Sequence, residues 1–576
     1  MKTLRKLGLL TVLVVLVASV AASAQLKSYR PITDEMLINA HKDPDNWLMW
    51  RRTYDLWGYS PLDQINKENV HKLQLVWGIA MNPGLQEAAP LVYDGIMFLH
   101  HQGNRVQALD ATTGDVIWEY NRVLPEVTGA YHTNQYQRTK NSIALYGDKV
   151  YLATSDAHVV ALDARTGQVV WETQVDDWSK GYSYTAGPVV AKGIVVTGMS
   201  GCSMTGTPGG CYVVAHDAET GEELWRTYTI AQPGQPGDET WNGLPIESRW
   251  GASLWGTPSY DPELDLLFIG TAMPIPYPEV VRGSGDGAAL YTNSTLALDL
   301  YTGEIKWYFQ HLPRDNWDLD HPFERILVDA VIDGKERKLV FGAFGKTGIV
   351  WFLDRETGEF IRAVETVYQN VQTVDPVTGA VTINTDLVFD KMGETKFVCP
   401  HLSGGKLYNS GAYNPLTNAY YVPLNNTCME ATPREVEFRP GESVAGLASR
   451  MVHAPNSGGL VGRVDAINVS TGEHMWSHQQ RAPWGGSLIT TAGGLVFGGD
   501  ANRRFKAFDA ETGKVLWELP LTAPVTGWPI TYAVNGRQYV AVPVGGGTMT
   551  NFLSLTPEIP NTSGSNVLLV FALPED

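Results

Sequence analysis

The stretch Ala108-Leu-Asp-Ala-Thr-Thr-Gly-Asp-Val-Ile-Trp118 decides the fold, because it recurs. Ala161 to Trp171 reads ALDARTGQVVW, Ala215 to Trp225 AHDAETGEELW, and Ala297 to Trp307 ALDLYTGEIKW. Two further copies run from Ala466 to Trp476 (AINVSTGEHMW) and from Ala507 to Trp517 (AFDAETGKVLW). A seventh, Phe352 to Arg362 (FLDRETGEFIR), has lost its Trp. Each copy spells a hairpin. A short apolar run is a buried strand, Asp, Thr and Gly form the turn, and a second apolar run carries the Trp. Asp tolerates turn conformations and bonds the following backbone, and Gly adopts φ > 0 without steric penalty.

One such hairpin cannot bury both of its faces, so the units stack, and a Trp at a fixed place suits the contact between neighbours. Sheets stacked around an axis form a β-propeller. The turn glycines are Gly114, Gly167, Gly221, Gly303, Gly358, Gly472 and Gly513, and steps of 53, 54 and 55 residues set the length of one blade. The 82-residue step holds a blade plus an insertion at Ala231 to Arg249, and the 114-residue step predicts a degenerate repeat that includes Asn414 to Pro423. Seven visible units and one hidden unit predict an all-β, eight-bladed propeller with Trp-motif repeats. Tyr29 to Asn66 reads as an irregular arm, Asn69 to Trp77 as the way into the first blade, and Asn566 to Ala572 as a last strand that pairs with N-terminal sequence to close the ring.

Residues 1–24 read as a secretory leader: Lys2, Arg5 and Lys6, then apolar Leu7 to Val20, then Ala22-Ser23-Ala24. The expected mature chain is one propeller domain over 25–576, without a membrane span, in the periplasm. The formal charge is −18, or −21 without the three leader cations, which argues against nucleic acid as a partner. In an oxidising compartment the four cysteines, set as local pairs Cys202/Cys211 and Cys399/Cys428, are expected to form two disulfides. No CxxCH motif occurs, so no covalently attached haem is expected.

The repeats, the leader and the length together resemble the quinoprotein alcohol dehydrogenases, eight-bladed propellers that carry pyrroloquinoline quinone (PQQ) and a metal ion in the central channel. The resemblance implies cofactor contacts at Glu87, Thr185, Ser200 and Gly201, a quinone floor at Trp255, and a late Trp motif at Trp484-Gly485-Gly486. It places a quinone-polarising cation at Lys346, a general base at Asp318, and the family's structural disulfide at Cys399–Cys428. The residue types suit the chemistry: an indole stacks on a flat quinone, a cation beside quinone carbonyls sharpens their electrophilicity, and a carboxylate takes a hydroxyl proton. Asp318 and Asp320 are the expected ligands of a Ca²⁺ or lanthanide ion, Asp320 being the position that accompanies lanthanide use.

The chain also departs from the family. Ser203 stands where the metal-ligand Glu is expected, Met273 where the ligand Asn is, and Leu407 where a quinone-contact Asn or Asp follows Gly-Gly-Lys. Asn141 replaces the early quinone-binding Arg, with Arg138 and Lys140 nearby. The expectation is a periplasmic dehydrogenase that oxidises a small or polymeric alcohol with PQQ and passes electrons to a soluble cytochrome c. The alternative is a cofactor-free propeller scaffold that binds a protein or a polysaccharide.

Overall fold

The computed structural model describes residues 26, 29–127, 129, 133, 142–202, 206–439, 441–455, 457–562 and 564–575. The expected leader, 1–24, lies outside them. Eight blades of antiparallel sheet are present among the described residues, each with four antiparallel strands. Blade 1 is Leu91–Tyr93, Ile96–His101, Arg105–Asp110 and Val116–Asn121, and the same order repeats through blade 7, which ends at Val515–Pro520. Inner strands are buried on both faces, as Ile96–His101 is throughout, and read as unbroken apolar runs. The fourth strand alternates, and Trp118 is the buried residue of exposed-edge strand Val116–Asn121.

The repeated motif is the hairpin between strands three and four. Its Asp holds the turn: Asp110 Oδ1 accepts the backbone N–H groups of Thr112 and Thr113 at 2.7 and 3.1 Å. Its Gly sits at positive φ under the Trp of the preceding blade. Gly167 has φ +71°, and a Cβ there would lie 2.4 Å from the Trp118 ring. The same indole donates Nε1–H to Ala164 O at 2.9 Å. Trp171, Trp225, Trp307 and Trp476 repeat the contact over Gly221, Gly303, Gly358 and Gly513. Arg362, the residue in the Trp-less copy, lays its Cδ over Gly472 and donates Nη1–H to Ser470 O at 2.9 Å.

The count of eight holds, but the eighth blade is not in the 114-residue step. Ala412–Asn414 and Ala419–Asn425 are the inner strands of blade 6, whose own motif is the Gly472 copy. The rest of that step is insertion, including a three-stranded sheet of Lys396–Val398, Thr427–Pro433 and Leu447–His453. Blade 8 closes the ring. Ile530–Val534, Arg537–Val544 and Val567–Ala572 supply three strands, and Gln74–Ala80 pairs with Val567–Ala572 as the fourth. Gln74–Ala80 therefore belongs to the closing blade rather than the first, and Trp77 covers Gly114 of blade 1. The arm before it is largely irregular, with Tyr59–Ser60 added in parallel to Thr490–Thr491 of blade 7. Both expected disulfides, Cys202–Cys211 and Cys399–Cys428, are formed.

Gly167→Ala is expected to lower stability by about 2–4 kcal/mol, from the left-handed backbone and the overpacked indole together. Gly536→Ala, at φ +78° with nothing within 4 Å of the added Cβ, carries only the backbone cost, about 1 kcal/mol. Guanidinium unfolding midpoints of the two variants check the difference.

Candidate active site

In a four-stranded blade the loops from strand two to three and from strand four to the next blade emerge on one face of the ring. The turn motifs emerge on the other. The expected site residues within the described chain lie in the first set. Ser200 and Gly201 follow Ile194–Gly198, Met273 follows Leu266–Gly270, and Lys346 follows Lys335–Gly342, all as strand-two exits. Glu87, Thr185, Trp255, Asp318, Asp320 and Trp484 lie in blade-to-blade connections.

Asp318, Asp320 and Lys346 meet directly. Lys346 Nζ lies 2.7 Å from Asp318 Oδ1 and 2.8 Å from Asp320 Oδ2, and all three side chains are buried. Burial and the neighbouring Asp320 carboxylate push the Asp318 carboxyl well above its ordinary range, against the pull of Lys346. The two carboxylates hold the Lys346 ammonium protonated despite its burial. The loop that carries them is built on Asp315, which sequence reading passed over. Asp315 Oδ1 accepts Trp317 N–H at 2.7 Å, while Oδ2 accepts Leu319 N–H at 2.8 Å and Asn293 Nδ2–H at 3.0 Å. Its carboxyl is raised to about 6 by burial, which those hydrogen bonds only partly offset. Asp318 itself takes φ +64°. The backbone of Lys346 is pinned on both sides: its N–H donates to Asp320 O at 2.8 Å, and its carbonyl accepts Gly405 N–H at 2.7 Å. Gly345 lets that loop lie against His321, since a Cβ there would come 2.3 Å from the ring.

A second group is Thr185 with Ser200. Thr185 Oγ1 donates to Ser200 Oγ at 2.9 Å, Ser200 Oγ donates to Ser183 O at 2.9 Å, and Gly201 N–H donates to the same carbonyl at 3.1 Å. A third is apolar. Trp255 stands edge-on to Phe323 at 5.1 Å, in a cluster with Leu407, Trp528 and Ala89, the last two residues beyond buried Glu87. From Gly251 to Asp261 every residue is buried except Trp255, which keeps part of its surface open. Trp484 is placed elsewhere, wholly buried against Phe508, with Nε1–H given to Gly486 O at 2.9 Å. Gly485 lies against Val525 O, where a Cβ would approach to 2.4 Å. Ser203 and the stretch with Arg138, Lys140 and Asn141 lie outside the described residues.

A planar, polar cofactor fits what is present. Trp255 is only partly buried in an otherwise buried segment. Asn409, 1% exposed, has neither amide atom partnered, and buried Thr347 Oγ1 is likewise unpaired. Unpaired buried polar atoms occur elsewhere in the fold too, and these two are open to a ligand or to water. Both lie on the two segments joined by the Lys346–Gly405 hydrogen bond or within a few residues of it. A multivalent cation does not fit in the same way. Among the described residues no cluster of three or more His, Cys, Asp or Glu side chains could hold a metal. Both candidate carboxylates are already bound to Lys346. The Met273 side chain packs in an apolar cluster with Tyr277 and Val444, and its backbone N–H donates to Asp320 Oδ1 at 3.1 Å.

A family model described as the PQQ glucose/ethanol/alcohol dehydrogenase β-propeller domain matches residues 47–386 and 382–540. The dehydrogenase subunit of the quinone alcohol dehydrogenase of Gluconacetobacter polyoxogenes is 33% identical, covering 94% of this chain and 77% of that protein. The quinoprotein ethanol dehydrogenase of Pseudomonas putida is 32% identical, covering 92% and 91%. A europium-containing methanol dehydrogenase superposes with a TM-score of 0.84 at 29% identity, over 94% of this chain and 100% of that one. The chain belongs to the PQQ-dependent alcohol dehydrogenase family.

Asp315→Ala strips the acceptor from three N–H donors and is expected to cost about 2–4 kcal/mol. It also releases the Asp318 loop, so loss of stability should be accompanied by loss of alcohol-dependent dye reduction in the PQQ-reconstituted protein.

Proposed function

We propose that this protein oxidises an alcohol with PQQ bound at the loop face of the propeller, and that Asp318 is its general base. The observation that carries the reading is the buried Lys346–Asp318–Asp320 cluster within a family-matched propeller. Bound PQQ would supply a two-electron acceptor for the substrate's hydride. Trp255 would give the ring a floor, and Asn409 and Thr347 would meet its polar edge. Glu87, Thr185, Ser200 and Gly201 would position it further round, with Trp484 and Gly485 shaping the connection behind. Lys346 would hold positive charge beside the reacting carbonyls, where a fixed charge in a dry site acts strongly. One Asp318 oxygen is engaged by Lys346, and the other would take the hydroxyl proton. Burial raises the proton affinity of that carboxylate, which suits a base.

The finer reading is a mature chain of residues 25–576 acting as one domain in the periplasm. It passes electrons singly to a separate acceptor such as a soluble cytochrome c, and takes secondary, larger or polymeric alcohols. No helix among the described residues is long and apolar enough to cross a membrane.

The test is a PQQ titration followed by Trp fluorescence, then alcohol-dependent reduction of an artificial acceptor. Saturable quenching with turnover is expected. Asp318→Asn should retain quenching and lose about 10²- to 10⁴-fold in kcat, the usual contribution of a positioned base. Absence of both quenching and turnover would leave the cofactor-free scaffold.

A further inference from the structure

The family's channel carries a metal ion, and this chain's donor set disagrees with one. A hard cation such as Ca²⁺ gathers six to eight oxygen ligands at roughly 2.3–2.6 Å. Asp318 Oδ1 and Asp320 Oδ2 instead face a single ammonium at 2.7 and 2.8 Å. Asp320 Oδ1 faces a backbone N–H, that of Met273. The Met273 carbonyl is turned away and accepts Ala252 N–H at 3.0 Å. Its side chain, 4% exposed, brings a thioether among apolar groups. Thioethers are poor partners for hard cations.

Three features keep the ammonium there. The Lys346 backbone is tied to Asp320 O and to Gly405 N. Gly404, at φ +85°, leaves room for the lysine stem, for a Cβ there would lie 2.9 Å from Lys346 Cγ. The Asp318 loop is held by Asp315. A multivalent ion at the carboxylates would sit beside a buried positive charge, where repulsion is weakly screened.

We propose that Lys346 stands in this protein where a metal ion would otherwise sit. Its ammonium, clamped between Asp318 and Asp320, supplies the positive charge, and the carboxylate pair is closed to Ca²⁺ and to lanthanide ions. The proposal rests on the reading of this loop face as the quinone site. It makes Lys346 both the neutralising group of the carboxylates and the charge presented to the cofactor, two tasks that a lysine and a metal would otherwise share.

Tb³⁺ emission sensitised by Trp, measured on the mature protein and on Asp320→Asn, tests the closure without cofactor. The difference between the two isolates this site from ions held by the acidic surface. The expected result is no difference between wild type and Asp320→Asn. Lys346→Gln is expected to gain a Tb³⁺ site at least about a hundredfold tighter, because a like charge has been removed beside it. That site should be lost in Lys346→Gln/Asp320→Asn. A saturable wild-type site that Asp320→Asn abolishes would overturn the proposal, as would equal binding by wild type and a folded Lys346→Gln. In a second arm, PQQ quenching is expected to be the same in EDTA, in Ca²⁺ and in La³⁺. Quenching lost in EDTA and restored by either ion would also overturn it. A failure of PQQ to bind under all three conditions would sink the cofactor reading, and the Tb³⁺ comparison would still decide the lysine's role.

Discussion

The architecture depends on one contact made again and again: a flat side chain from one blade lying on the turn glycine of the next. Its geometry is demanding on both partners. The glycine must have no Cβ, since the ring lies about where that atom would be, and it must accept positive φ. The covering residue must also hand a hydrogen to a carbonyl of the same turn, as Trp118 does to Ala164, Trp171 to Ala218 and Trp225 to Leu300. Arg362 shows what the contact requires. Its methylene stem covers Gly472 and its guanidinium meets Ser470 O, so an aliphatic lid with an N–H at the far end does the same job as an indole.

Because that contact sets one blade against the next on the turn face, the opposite face is free to vary in sequence and length. The long insertions fall there. The side chains of the candidate cluster come from two different connections, so its geometry is fixed by neighbouring blades together. Lys346 leaves blade 5, Asp318 and Asp320 lie between blades 4 and 5, and the Gly405 that anchors Lys346 precedes blade 6. Asp315 converts a loop between blades into a rigid support by collecting donors from its own segment and from Asn293 of blade 4. Site geometry is therefore tied to blade packing, which loops alone would not secure.

The period of the repeat was legible because its residues have local reasons to be where they are: Asp for the turn, Gly for the backbone angle, Trp for the lid. Of the closing blade only the ring closure was legible, in the expected pairing of Asn566 to Ala572 with N-terminal sequence, which Gln74–Ala80 makes. Its fourth strand, Gln74–Ala80, lies far ahead of its other three in sequence, so it contains no motif hairpin. Spacing along the chain cannot separate a missing blade from an insertion, which is why the step before Gly472 misled. In the site, Asp318, Asp320 and Lys346 were legible from their motif contexts, but their mutual contact was not, since it joins connections from adjacent blades. Asp315 carried a signal, as the first acid of the Asp-Asn-Trp-Asp-Leu-Asp run. Asn409 carried none, because its standing comes from unpaired atoms that only three dimensions reveal.

Among the other buried lysines, Lys406 offers a contrast with Lys346. Lys406 meets Glu324 at 3.1 Å with neither side chain exposed. Glu324 also accepts Gly411 N–H at 2.7 Å and the Tyr420 hydroxyl at 3.3 Å, and Lys406 donates to Leu407 O. Buried Arg51 and Arg325 also act on Glu324, so that carboxylate stands among an excess of positive charge, and its own oxygens are satisfied within the fold. At Lys346 the count is two carboxylates to one ammonium. Burial first, and then the neighbouring Asp320 carboxylate, push the Asp318 carboxyl upward against the pull of Lys346. A structural pair gains nothing from such an excess, whereas a proton acceptor does, because it needs an anion held in a place where taking up a proton is favourable. The candidate cluster and the Lys406–Glu324 site therefore carry opposite excess charge, negative about Lys346 and positive about Glu324.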